Sequence, residues 1–114
     1  METFETATAK DFTEFFSKIP HQRWCTDQMN DGFGRHCALG HLAKTIGEEV
    51  NEVICQTDSW KKFVAAKSRL HQVLGESPSR VNDWGLKGAV KVYSQTHPKD
   101  RILAALKDAI EAGR

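Results

Sequence analysis

The sequence predicts a mainly α, single-domain bundle of four or five helices over residues 1–114, with at most a short β-hairpin. Three observations carry this reading. Apolar residues recur at the i, i+3, i+4, i+7 spacing of a helix face in four separate stretches. Helix-ending residues follow those stretches: Pro20 after the first, then Gly47, Gly75 and Gly113. A chain of 114 residues is also long enough for one real core, burying roughly 65% of the unfolded surface.

The first helix carries Phe12, Phe15, Phe16 and Ile19 on one face, and Pro20 stops it. Residues 1–8 form a candidate N-terminal arm, although Phe4 is placed to pack beneath that aromatic stripe. A second helix runs from Cys37 to Ile46, with Leu39, Leu42, Ala43 and Ile46 as its core side. A short helix with Val50, Val53 and Ile54 follows. Asp58 and Ser59 are good caps for the next helix, whose buried side is Phe63, Ala66, Leu70, Val73 and Leu74, with Trp60 at its edge.

Residues 76–79 read as a loop. Residues 80–93 are the least patterned: Asn82-Asp83 favours turns and caps, Gly85 and Gly88 oppose a long helix, and Val90 and Val92 alternate as a short strand would. The last helix is clear. Thr96 or His97 caps it, Pro98 suits its first turn, and Ile102, Leu103, Leu106, Ala109 and Ile110 make its stripe.

The stretch from Trp24 to Ile46 concentrates the reactive side chains. Residues 30–34 tolerate positive φ and reverse the backbone. On the helix that follows, Cys37, His41 and Lys44 fall opposite the apolar stripe. Cys37 in a first turn can be stabilised as a thiolate, with His41 one turn on as its base. The competing reading makes Cys37 a small buried hydrophobe, with Gly40 admitting the segment that holds Trp24. Cys25, His36, Cys37 and His41 number four possible zinc ligands, but no CxxC or HxxxH pair occurs. No metal and no cofactor is expected.

Composition excludes several classes. No run approaches the ~18 apolar residues of a membrane span, and the acidic, polar start is no secretory signal. Three cysteines without regular spacing suit reduced thiols in a cytoplasm. The net charge of +1 hides an imbalance: residues 1–58 hold five Lys/Arg against ten Asp/Glu, and residues 59–101 hold nine against three. Lys61, Lys62 and Arg69 are therefore candidate contacts for an acidic partner or nucleic acid.

The run Gly34-Arg35-His36-Cys37-Ala38-Leu39-Gly40-His41-Leu42, the later Val81-Asn82-Asp83, and the stretch Thr96-His97-Pro98-Lys99-Asp100-Arg101-Ile102-Leu103-Ala104-Ala105-Leu106 resemble a family of small uncharacterised bacterial and phage proteins. That family carries a Trp near its start, a GRxCALGAL helix, an ND turn and a TPxxRVLxAL terminal helix. This chain departs from it by His41 where a small residue is usual, and by His97 between Thr96 and Pro98. The resemblance brings no activity with it. It implies that Trp24, Asp27, Gly34, Arg35, Cys37, Gly40, Asn82 and Asp83 converge; a cluster of Arg35 with Asp27 or Asp83 would then be either a polar network that fixes a hairpin onto the helix, the favoured reading, or the lining of a small pocket.

These readings point to a small cytoplasmic helical interaction module, of the kind a phage or mobile element supplies to bind a host macromolecule, in the first instance a protein. Two alternatives stand beside it. One is a thiol-dependent enzyme using Cys37, with Arg35 or helix N–H groups holding an anionic substrate. The other is nucleic-acid binding through residues 59–101. No feature specifies an oligomeric state.

Overall fold

In a computed structural model, which describes residues 4–29, 31–46, 58–84 and 97–114, five α-helices and one 3-10 turn follow one another. They are α1 (Ala9–Ser17), the turn His21–Arg23, α2 (Ala38–Ile46), α3 (Asp58–Leu74), α4 (Pro78–Trp84) and α5 (Pro98–Glu111). The expected mainly helical architecture is what the chain adopts. Among the described residues there is no strand. The single ladder contact among them is a parallel bridge between Trp24 and His36, in place of a hairpin. The short helix read after Gly47, the strand-like Val90–Val92 alternation and the alternative cap Thr96 lie outside the described residues.

Helix starts follow local chemistry. Thr8 and Asp11 form a reciprocal capping box on α1: the Thr8 hydroxyl accepts from the Asp11 amide (3.2 Å) and the Asp11 carboxylate from the Thr8 amide (2.9 Å). His97 caps α5 through Nδ1, which accepts from the Lys99 amide at 3.1 Å, with Pro98 in the first turn. Gly75 and Gly113 stand at φ +73 and +82 behind α3 and α5, the left-handed geometry that closes a helix.

The predicted stripes mostly form the core. Phe12, Phe16, Leu39, Leu42, Ala43, Ile46, Phe63, Ala66, Leu70, Val73, Leu74, Ile102, Leu106 and Ala109 are all buried. Phe15, Ile19, Trp60 and Leu103 are partly buried against them. Phe4 stacks on Phe12 at 5.7 Å and Ala7 is buried, so the described part of the N-terminal segment lies against α1 and α3. Arg69 of α3 fastens it, donating from Nε to the Ala7 carbonyl at 2.6 Å.

Two expectations are corrected. Residues 78–84 are helical, whereas the sequence reads 76–79 as a loop: Pro78 occupies the start of α4, where its missing N–H costs nothing. Ile110 is 44% exposed, and Ala105 takes its place in the core. At 100° per residue, Ile102, Ala105, Leu106 and Ala109 share one face, while Ile110 lies about 90° off its centre.

Candidate functional site

Two neighbouring arrangements grow from the segment between α1 and α2. The first is a buried polar knot around Asn82. This residue has no solvent exposure, and its side chain makes three hydrogen bonds. Oδ1 accepts from the Ala38 amide at 3.1 Å, at the start of α2. Nδ2 donates to the Cys25 carbonyl (3.0 Å) and to Asp83 Oδ1 (2.8 Å). The same Asp83 oxygen accepts from the Asp27 amide at 3.0 Å, where Asp27 turns the chain at φ +70. From the other side Arg101, itself buried, donates from Nε to the carbonyls of Val81 (3.2 Å) and Asn82 (3.1 Å), and from Nη2 to Asn82 again at 2.6 Å. A guanidinium thus satisfies the carbonyls that end α4.

The expected convergence is therefore partial. Cys25, Asp27, Ala38, Asn82 and Asp83 meet in the knot. Trp24 is buried beside it, donating from its indole N–H to the Ile19 carbonyl at 3.2 Å. Arg35 does not join Asp27 or Asp83. It pairs with Asp31 four residues back, whose carboxylate also accepts from the Phe33 and Arg35 amides (2.7 and 3.2 Å). A short loop closed on itself thus uses the charge that the motif offers to the ND pair. Arg101 is not legible as a member: in sequence it is one more cation in a basic segment.

The face of α2 carrying Cys37 and His41 is covered. Both residues are 6% exposed. A Cβ placed on Gly40 would lie 2.0 Å from the Met29 carbonyl oxygen, which is how closely the covering segment approaches the helix. Burial pushes the Cys37 thiol above its ordinary range and outweighs the Gly40 and Leu39 amides of the first turn, which act the other way. Burial likewise lifts the Cys25 thiol to about 11, and that thiol donates to the Gln28 carbonyl at 3.3 Å. His41 packs on Trp24 (ring centroids 4.9 Å apart) and on His36 (5.2 Å). Burial first, and His36 second, lower it to about 4, so it is neutral at pH 7. Both members of the thiol–imidazole pair of the enzyme reading are thus covered, the thiol shifted up and the imidazole down.

The second arrangement is a groove of about 440 Å³ between the end of α1, the His21–Arg23 turn and α2. Phe15, Ile19 and Pro20 form its apolar wall. Lys18, Arg23 and Lys44, all exposed, supply three cations, and among the described residues no carboxylate lines it. His41 also lines the groove, and its Nε2 is buried without a hydrogen-bond partner among the described residues. Three of the five Lys/Arg of the acidic half thus gather at one place, which a count by segment conceals.

The described cations of the basic segment are divided. Arg69 is bonded to Ala7, Lys99 is buried with Nζ donating to the Ser17 carbonyl at 3.1 Å, and Arg101 is spent on α4. Lys61, Lys62 and Lys67 remain exposed on α3, and Arg80 on α4. No protein-family model, no curated protein and no solved structure matches this chain. No described helix is long and apolar enough to cross a membrane.

Proposed function

We propose that the chain is an interaction module that docks an acidic segment of a partner protein in the groove beside α2. One observation carries this reading: three exposed cations surround an apolar wall, with no carboxylate among the described lining residues. A side chain such as leucine seated on Phe15 and Ile19 would place neighbouring carboxylates among Lys18, Arg23 and Lys44. Hydrogen bonds to such carboxylates are stronger than neutral ones, and a shielded apolar wall strengthens them further. Complementary charge also speeds encounter and makes binding salt-dependent.

Binding is favoured over thiol chemistry at Cys37 because burial holds that thiol protonated and covered. Of residues 59–101, Arg69, Lys99 and Arg101 are used on backbone carbonyls, and the nucleic-acid reading is left with the exposed Lys61, Lys62, Lys67 and Arg80. A cytoplasmic setting and a phage or mobile-element accessory role belong to the same proposal and rest on the sequence resemblance and the cysteine usage.

The test is an amide-resolved NMR titration with a short acidic peptide holding one central leucine, run beside a single-stranded DNA of equal charge. The proposal expects peptide-induced shifts concentrated at residues 18–23, 34 and 41–45, weakening as salt is raised. Shifts centred on Lys61 and Lys62, or a response to DNA alone, would overturn it.

A further inference from the structure

The four possible zinc ligands that the sequence offers, Cys25, His36, Cys37 and His41, do not come together as a ligand group in the fold. A different set does. Among the described residues, a single group of three or more His, Cys, Asp or Glu side chains offers ligand atoms close enough for one ion: His21, His97 and Asp100. One ring nitrogen from each histidine and one Asp100 oxygen all lie within 4.8 Å of one another. The geometry points to a divalent transition-metal site here, taking Zn²⁺ or a similar borderline ion on two imidazoles and one carboxylate, with its remaining position open to solvent.

Each residue is brought there by an independent structural cause. Pro20 ends α1's run and starts the 3-10 turn that presents His21. Pro98 starts α5, with His97 before it and Asp100 in its first turn; the single lone pair of the neutral His97 ring, which accepts from the Lys99 amide through Nδ1 in the unliganded chain, would pass from that cap to the ion. Lys99 Nζ, bonded to the Ser17 carbonyl, ties the start of α5 to the end of α1 and fixes the two halves relative to each other. His21 Nε2 is already 2.9 Å from Asp100 Oδ1, and the two histidine rings stand edge to face with centroids 4.7 Å apart.

Chemistry favours the assignment. Zinc bonds of about 2.0–2.2 Å in a tetrahedral arrangement place ligand atoms roughly 3.3 Å apart. The His21–Asp100 pair, at 2.9 Å, is near that spacing, and all three ligand atoms lie within 4.8 Å of one another. Two neutral imidazoles and one carboxylate suit a borderline ion better than Mg²⁺ or Ca²⁺, which prefer oxygen. The positive end of the α5 dipole opposes a cation, and the Asp100 carboxylate supplies the offsetting charge. Three protein ligands with an open position define a site that can present the ion to a further ligand.

The full chain titrated with Zn²⁺ in competition with a chromophoric chelator tests this. We expect one ion per chain, a visible absorption band when Co²⁺ replaces Zn²⁺, and a Zn²⁺-dependent rise in Tm. His21→Gln and Asp100→Asn, both at exposed or half-exposed side chains, should each weaken binding at least about tenfold and abolish the Tm rise. Their unliganded melting and circular dichroism should match the parent, which separates loss of ligand from loss of fold. Absence of binding by the parent, or binding unchanged in both variants, would overturn the assignment.

Discussion

Gly40→Ala is the sharpest probe of how α2 is held, because two physical effects predict opposite signs. Gly40 lies inside a nine-residue helix, where alanine is better by about 1 kcal/mol on propensity alone. The added Cβ, however, would stand 2.0 Å from the Met29 carbonyl oxygen, 2.9 Å from its carbon and 3.0 Å from His36 Cβ. The first of these is far inside ordinary van der Waals contact, and the atom it meets is backbone. The covering segment cannot yield by rotating a side chain; it must move away. That segment carries Trp24, Cys25 and Asp27, which are tied to Ile19, Asn82 and Asp83 by hydrogen bonds. Overpacking of this kind costs about 1–3 kcal/mol and more when bonds are lost with it. We expect a net loss of about 2 kcal/mol and a Tm lower by roughly 5–15 °C, measured by urea and thermal unfolding with tryptophan fluorescence. Gly32→Ala is the control. Its φ is +82 with nothing within 4 Å of the added carbon, so it should lose only about 1 kcal/mol through backbone strain. A Gly40→Ala protein as stable as the parent, or more so, would refute the close approach.

Three further outcomes follow from the same structure. Asn82→Ala should cost about 2–4 kcal/mol in denaturant unfolding, because it strands the Ala38 amide and the Cys25 carbonyl in a buried place; a loss under about half a kcal/mol would mean water replaces the side chain. Leu39→Ala and Leu106→Ala should each cost about 2–5 kcal/mol, whereas Ile110→Ala, at a 44% exposed residue, should cost well under about 1 kcal/mol; equal losses at Leu106 and Ile110 would contradict the observed face of α5. Stability should decline as the pH falls from 6.5 towards about 4, because the unfolded chain protonates His41 while the folded one resists it; the contribution is complete above 6.5 and amounts to roughly 2–4 kcal/mol. A His41→Phe variant whose acid decline matches the parent's would assign that slope to other groups.

Sequence periodicity places the helices whose buried faces are long and uninterrupted. Phe12 and Phe16 in α1, and Phe63, Ala66, Leu70, Val73 and Leu74 in α3, need only the 3.6-residue repeat to be assigned to the core. Helix α4 escapes that reading because its seven residues give two turns at most, and Pro78, Ser79, Asn82 and Asp83 all carry turn chemistry when read alone. The site is less legible than the fold. Cys37, His41, Asn82 and Asp83 stand out by type, but a polar residue's burial depends on what packs over it. For His41 that is Trp24, from the segment before α2, and for Asn82 it is Arg101 of α5. Charge counted along the chain points to residues 59–101, while the groove's cations come from Lys18, Arg23 and Lys44. Linear density says nothing about which cations are consumed by backbone carbonyls, and here Arg69, Lys99 and Arg101 are.

The proposed docking of an acidic segment in the cationic groove beside α2 can be tested by reversing charge in two places. The affinity of a fluorescently labelled acidic peptide with one central leucine would be measured for the parent, for Arg23→Glu, for Lys44→Glu and for Lys61→Glu combined with Lys62→Glu. All four positions are exposed, so circular dichroism should be unchanged throughout. We expect Arg23→Glu and Lys44→Glu each to weaken binding about tenfold or more at low salt, with the α3 pair close to the parent. Binding lost in the α3 pair and kept in the groove variants would contradict the account.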